Sequence, residues 1–392
     1  MQSYRVNGKD LGPQVHTRFC KLTAMSSLRV GIIGCGAISS IYLENLNRFK
    51  GVEVIRLSDT DLEKAKAAEV KYNVRKESCT TPELLADPEV DLVLNLTPPK
   101  SHVAITRAAI LVGKHVYSEK PLGLTVADTS TILASARESG VLVGSAPDTV
   151  LGAGIQTARD MIDSGMIGTP IGVQGFMLSP GVESWHPNPE SFYERGGGPL
   201  FDMGPYYLTA MVHLLGPVNR VCSSHSVTHP TRLITSPLKR GKQINVEVPT
   251  HYSCVLDFES GAIGSLTVSF DVQPYPYPHL VVFGTEGTLE IPDPNAFGGV
   301  VRVRKKGNDD FEKIALRFPF SSNSRGLGVL DMAAALAKNR PHRCTGEIAH
   351  HVVEIMNACD LSSIEASHIA VSTNVPRPSM MPRGTSEDAI FE

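Results

Sequence analysis

From residue 28 onward the chain alternates short, β-branched apolar runs with longer stretches whose apolar positions recur every three or four residues. The runs are "LRVGII", "VEVIRL", "DLVLNLT", "HVYSE" and "VLVGS", and "SHVAITRAAILVGK", stopped at Gly113-Lys114, is typical of the stretches between them. Continuously apolar strands that alternate with helices predict a parallel sheet with helical crossovers. A doubly wound α/β domain is expected over residues 28–148.

After a helical stretch at 155–164 the pattern changes. "IGVQGFML", "VNRVCSSHSVT", "THYSCVLDF", "AIGSLTVSFD", "HLVVFG", "GTLEI" and "VVRVRK" follow, with turns marked at Ser260-Gly261 and Glu286-Gly287. No long helix interrupts the later strands, which predicts a large open antiparallel sheet. Helices at 326–338 and 346–363 come next, and the Pro-rich "STNVPRPSMMPRGTSEDAIFE" reads as either an ordered strap or a loose tail. The expected fold class is α/β plus α+β: an N-terminal Rossmann dinucleotide-binding domain, then a substrate-binding and oligomerisation domain over 149–392. The uncovered sheet face predicts a homodimer or homotetramer.

Residues 1–27 stand outside this pattern. Arg5, Lys9, Arg18 and Lys21 occur there without an apolar run, which argues against a secretory signal. The extension is either a disordered arm or sequence ahead of a start at Met25, with an organelle-targeting segment as the weaker alternative.

Composition narrows the function classes. A chain of 392 residues with 42% hydrophobic and 20% charged residues suits two globular domains, and no apolar run approaches the roughly 18 residues of a membrane span. A net charge of −3 and the lack of a Lys/Arg stripe exclude nucleic acid as the expected partner. The seven cysteines are odd in number and form no CxxC pair, so no disulfide framework or metal site is expected and a cytoplasmic location fits.

"RVGIIGCGAIS" places Gly34-x-Gly36 directly after the first strand. Gly34 suits the tight turn into a helix, and Gly36 lets a pyrophosphate approach the backbone. Ser39 stands at the third fingerprint position. With Ala37 and Ile38, these glycines are the candidate cofactor-binding residues of the turn. Asp59 ends the second strand 23 residues beyond Gly36, where a carboxylate accepts from an adenosine ribose. A 2′-phosphate would meet that charge uncompensated, so NAD is expected rather than NADP.

These residues, together with "NLTPPKSHVAITRAAILVGKHVYSEKPLG" and "GGGPLFDMGPYY", resemble the glucose-fructose oxidoreductase / inositol dehydrogenase / rhizopine-catabolism (Gfo/Idh/MocA) family of NAD(P)-dependent oxidoreductases. The resemblance runs from Leu28 to about Pro378. It implies that Thr97, Pro98, Pro99, His102, Glu119 and Lys120 line the cofactor, and that Lys120 and Asp202 stand near the nicotinamide. It also implies that the residue four beyond Asp202 moves the proton. Most members have histidine there, whereas this chain has Tyr206, as glucose-fructose oxidoreductase does. Two further departures are "SAPDTVL", where many members carry an Asn/Gln-x-Arg segment, and His186, which follows Trp185 where arginine is frequent.

An Asp202 cap on a helix over 203–215, stopped by Gly216-Pro217, would put Asp202 and Tyr206 on one face. Gly196, Gly197 and Gly198 just before it are expected to admit a ligand close to the backbone. Oxidising a secondary alcohol needs a base at its oxygen while hydride leaves the carbon. Tyr206 is the candidate, its acidity raised by a neighbouring Lys120 ammonium, and Lys120 itself is the alternative proton acceptor. A cis peptide before Pro121 would suit the placement of Lys120. Trp185 and His186 suit stacking and hydrogen bonding to a sugar, sugar derivative, glycoside or cyclitol. Tyr207 and His213 read as core packing, and Glu347/His351 and His350/Glu354 as helix pairs without a third metal ligand. The competing readings are an NAD-dependent glycosidase and a cofactor-binding regulator.

Overall fold

The structure is a computed structural model that describes residues 27–273, 275–383 and Ile390; the expectations for residues 1–26 lie outside the described residues. The first half runs β1 (Leu28–Ile33), α1 (Ser39–Leu46), β2 (Val52–Ser58), α2 (Leu62–Tyr72), α3 (Thr81–Ala86), β3 (Leu92–Asn95), α4 (Pro99–Leu111), β4 (His115–Ser118), α5 (Val126–Ser139) and β5 (Val143–Ser145). All pairings among these strands are parallel, in the order β2-β1-β3-β4-β5. Every residue of β3 is buried, as a strand covered on both faces requires. Local chemistry bounds the helices: the Thr125 hydroxyl accepts from the Asp128 amide at the start of α5, and Gly140 ends it in the left-handed region. Strand order reverses between β1 and β3, so the crevice at their carboxyl ends is where an α/β sheet of this topology takes a ligand.

The second half runs α6 (Ala153–Asp163), β6 (Pro170–Leu178), α7 (Gly198–Asp202), α8 (Gly204–Leu215), β7 (Val218–Ser226), β8 (Thr231–Leu233), β9 (Gln243–Asn245), β10 (His251–Phe258), β11 (Ile263–Ser269), β12 (Leu280–Gly284), β13 (Gly287–Ile291), β14 (Val301–Lys305), β15 (Glu312–Ile314), α9 (Leu327–Lys338), α10 (Gly346–Glu365) and β16 (Ile369–Ala370). Nine strands form one sheet in the order β15-β14-β13-β12-β6-β11-β10-β7-β16, and β8 and β9 pair separately. The expected antiparallel sheet is mixed, because β6 lies parallel to β11. The period of two reports which face a side chain takes and says nothing of strand direction. Here the direction of β6 follows from its insertion between β11 and β12.

Helices α6, α7, α8 and α10 pack against strands of the large sheet, whereas Ile171, Val255 and Ile263 stay exposed. Helix α10 also packs on α5 and β5, and Ser145 N–H donates to the Cys344 carbonyl at 3.1 Å. One hydrophobic core therefore runs from Val30 and Leu94 in the first sheet to Leu256 and Met356 in the second half. The Pro-rich segment is an ordered strap through residue 383: Val371, Val375 and Met381 are buried, and the Met381 amide donates to Gln156 Oε1 at 2.7 Å. No helix among the described residues is long and apolar enough to cross a membrane.

Candidate active site

The nucleotide end is built from the turn after β1. Gly34 adopts φ +102°, and a Cβ there would lie 2.7 Å from the carbonyl carbon and oxygen of Leu96. Gly36 differs, for it is exposed and a Cβ would meet nothing within 4 Å. Its missing side chain leaves space outside the protein, not within it. Helix α1 begins beside that space at Ser39, whose amide turns to the Gly36 carbonyl at 3.1 Å, and with Ile38 in the N-cap position there is no side-chain cap to keep the next amides from an anion. Asp59 follows β2, its carboxylate oriented by the Cys35 amide at 2.7 Å and the Asp61 amide at 2.8 Å. An uncapped helix start, an open Gly36 and a fixed carboxylate fit a dinucleotide.

The two glycines should therefore fail differently. Gly34→Ala should cost on the order of 2 kcal/mol of stability through backbone strain and clash. Gly36→Val should leave the melting temperature unchanged while weakening NADH binding about 100-fold, a loss of roughly 2.7 kcal/mol. Thermal melts and a fluorescence titration with NADH check both.

Residues after β3 and β4 form the adjoining wall. Thr97 Oγ1 donates to Asn95 Oδ1 at 2.7 Å, and Pro98 occupies the N-cap position of α4 without a side-chain cap. The His102 ring lies between two carbonyls, with Nδ1 2.7 Å from Pro121 O and Nε2 2.6 Å from Thr97 O. It ties the two loops together, and burial pushes its pKa down. Glu119 accepts from Tyr42 Oη of α1 at 2.7 Å and from the Lys120 amide at 3.0 Å, bracing the glycine turn's helix against the lysine. The Lys120–Pro121 bond is cis, as expected.

Across from this wall the chain turns through α7 and α8. Asp202 is the last residue of α7 and does not cap α8, which starts at Gly204 after Met203 and has no side-chain cap. This corrects the expected cap: the helix expected over 203–215 is α8, its N-cap position is Met203, and Asp202 instead ends a short helix that precedes it. Lys120 Nζ donates to Asp202 Oδ1 at 2.7 Å and to the Asp202 carbonyl at 2.5 Å, an ammonium at the C-terminal end of a helix. The same Nζ lies 5.1 Å from the centroid of the Tyr206 ring. Lys120, Asp202 and Tyr206 thus meet, although 82 residues separate the first two.

Burial works against the Lys120 ammonium, but Asp202, Tyr206 and Glu119 outweigh it and hold its pKa above the ordinary lysine value. For Tyr206 burial dominates: its pKa is raised although Lys120 favours the charged form. The expected net lowering by Lys120 is not what the site produces. Burial of the phenol and the Glu119 charge overcome the ammonium's effect.

Other residues sort as follows. Trp185 is 64% exposed and stands edge-on to His186, which in turn packs edge-on to Phe192. No hydrogen bond or ring contact among the described residues joins Trp185 or His186 to Lys120, Asp202 or Tyr206. The glycine triplet makes room for protein, not for an open pocket floor. Gly196 and Gly198 take positive φ, and Cβ atoms at 196, 197 and 198 would strike Leu124, the Ser191–Phe192 backbone and Pro249. Tyr207 is buried with its hydroxyl on Phe176 O, and His213 is buried on Gln156. His351 accepts from the Val218 amide and Glu354 from Ser372 and Thr373, so both are structural ties. The described residues contain no group of metal ligands.

Two participants carried no motif. The charge of Arg325, just before α9, favours ionisation of the Tyr206 phenol, and its guanidinium donates to Asn323 and Asn295. Asp148, in the "SAPDTVL" segment, accepts from the Gly326 amide at 2.8 Å and the Gly328 amide at 3.0 Å. Burial pushes its carboxyl up to about 6. A carboxyl pKa raised in the folded state gives stability that is present at pH 4 and lost as pH rises through 6. Relative to Asp148→Asn, the wild type should lose on the order of 3 kcal/mol between pH 4 and 7, read from urea unfolding across that range.

Comparison with known proteins gives this geometry its relatives. Residues 28–146 match the family model described as oxidoreductase family, NAD-binding Rossmann fold, and residues 155–290 match the GFO/IDH/MocA C-terminal domain. The chain is 30% identical over 267 residues to 1,5-anhydro-D-fructose reductase of Ensifer adhaerens, covering 67% of this chain and 74% of that protein. It is 26% identical over 264 residues to myo-inositol 2-dehydrogenase of Thermotoga maritima, with the same shares. An NAD binding oxidoreductase from Klebsiella pneumoniae shares the fold with a TM-score of 0.78 at 24% identity, over 90% of this chain and 100% of the other. Levoglucosan dehydrogenase, solved in complex with NADH and L-sorbose, superposes with a TM-score of 0.78 at 19% identity, over 89% and 100% of the two chains. With both halves matched and the reductase aligned over most of its length, the chain belongs to the GFO/IDH/MocA family of NAD-binding oxidoreductases.

Proposed function

We propose that the protein moves hydride between NAD and a secondary hydroxyl of a sugar, sugar derivative, glycoside or cyclitol, with Tyr206 as its acid–base group. The observation that carries this reading is the meeting of Lys120, Asp202 and Tyr206 beside the carboxyl ends of the first sheet. When bound, NAD supplies the hydride acceptor or donor. In the oxidative direction the Tyr206 oxygen takes the hydroxyl proton, and in the reductive direction its phenol returns one. Lys120 stays an ammonium, held by Asp202, and favours the phenolate from the ring face. The raised phenol pKa makes Tyr206 a proton donor at neutral pH, so alcohol oxidation quickens toward alkaline pH. Trp185 and His186 offer an aromatic edge for a polyol on the neighbouring loop.

The relatives' printed activities, on an anhydrohexose, inositols and levoglucosan, support a polyhydroxylated substrate. The exposed sheet face carrying Ile171, Val255 and Ile263 suits a second copy of the chain, which sedimentation at micromolar concentration tests. The function is tested by incubating the protein with NAD+ and a panel of sugars, glycosides and cyclitols while following NADH absorbance. Growth of NADH supports the reading. Release of a reducing sugar without NADH assigns the chain to NAD-dependent glycoside cleavage instead, and retained NAD binding with no turnover of any panel member assigns it to regulation.

A further inference from the structure

Arg232, in β8, is a buried arginine that ties the loop carrying Trp185 to the large sheet. Both terminal nitrogens are fully used. Nη1 donates to the Pro180 carbonyl at 3.2 Å and to Glu183 Oε1 at 2.5 Å, and Nη2 donates to the Phe270 carbonyl at 2.9 Å and to Asp271. Asp271, just beyond β11, also accepts from Thr250 Oγ1 at 2.6 Å. Tyr193 donates to the second Glu183 oxygen, and its ring centroid lies 5.0 Å from the Arg232 guanidinium carbon. Gly181 takes φ +102° at this hub, where a Cβ would lie 2.6 Å from both Arg232 Nη1 and the Tyr193 oxygen. The Glu183 carbonyl accepts from the Thr235 and Ser236 amides at 3.0 and 2.9 Å.

These bonds hold a turn. The Trp185 and His186 amides both donate to the Val182 carbonyl, at 3.2 and 2.9 Å. Val182 and Tyr193 are buried with Ile234, Ile244 and Phe270, and Met203, the residue after Asp202, packs against the same cluster. The turn is thereby fixed against the chain that delivers Asp202, while Trp185 stands exposed beside His186. An apolar ring with an N–H at its edge suits the C–H face and a hydroxyl of a polyol. A buried ion cluster adds little net stability over an apolar core, so what it supplies here is geometry. We propose that Arg232 is a positioning residue for the substrate: by clamping Glu183 to Asp271 it holds the 182–186 turn so that Trp185 and His186 meet the polyol, and it sets affinity for the polyol, not the rate of hydride transfer. This role rests on the reading that Trp185 and His186 face the substrate.

Trp185 is the chain's single tryptophan, so its fluorescence reports the turn directly. Arg232→Lys keeps the charge but loses the fork that bridges two carboxylates. Glu183→Gln, the second variant should the first not fold, loosens one arm and leaves Arg232 paired with Asp271. In time-resolved anisotropy without substrate, the share of depolarisation arising from nanosecond motion of the indole should rise about twofold in either variant. With the panel member that wild type turns over fastest, KM should rise about tenfold while kcat and NADH affinity stay within about twofold, the signature of lost uniform binding. Wild-type indole motion in a folded variant overturns the clamp, even if the melting temperature falls. A looser indole with an unmoved KM overturns its role in substrate affinity. An unchanged KM in Trp185→Ala overturns instead the reading that this edge meets the polyol, and the anisotropy still decides the clamp.

Discussion

Tyr206→Phe should lower kcat on the order of 10³-fold while NADH binds as in the wild type, since a positioned acid–base group contributes about 10² to 10⁴. The substitution removes one oxygen and keeps the ring that lies 5.1 Å from the Lys120 ammonium. The packing is therefore conserved, and the melting temperature should move little. The residual rate should also lose the rise with pH that a buried phenol imposes. Steady-state kinetics from pH 6 to 10, with a fluorescence titration of NADH, separates the two effects. A variant within tenfold of wild type, or one that loses NADH affinity and activity together, would remove Tyr206 from the proton path.

Lys120→Met should lower kcat by a similar order of magnitude, about 10²- to 10³-fold, but with a different signature. Two hydrogen bonds from Nζ to Asp202 disappear, and the Asp202 carboxylate, whose side chain is 25% exposed, is left without its cation. Loss of charge-assisted bonds of this kind costs about 1–3 kcal/mol, so the melting temperature should fall too. The Tyr206 phenol loses one of the charges favouring its ionised form, and oxidation should need a still higher pH. Lys120→Arg keeps a positive charge with different reach and should recover stability more fully than rate. Thermal melts and pH profiles of both variants check this. A Lys120→Met enzyme with unaltered pH dependence would argue that the ammonium does not act on the phenol.

What could be read from the chain depended on how local the signal was. Gly34, Gly36 and Asp59 lie within one βαβ unit, where spacing alone implies a shared turn and strand end. The strand runs were legible because burial imposes a period, yet the parallel placement of β6 against β11 was not, since periodicity carries no direction. Lys120, Asp202 and Tyr206 were visible only through resemblance to a family, because no local pattern says that residues 82 apart will touch. The expected Asp202 cap failed where a five-residue helix intervenes before Gly204. Arg325 and Asp148 had no motif at all. An arginine before a glycine at a helix start is an ordinary surface pattern, and its place is set by the loop's ties to Asn45 and Asp148, which no local pattern announces.

Because α9 and α10 come back from the far end of the chain to lie on the first sheet, the nucleotide half is not a detachable cassette. Swapping cofactor preference by transplanting residues 28–146 alone would set a foreign β2 and β5 against the host's own α9 and α10. Recombination within this family should tolerate crossover points that carry residues 320–365 along with the N-terminal half, and reject those that part them.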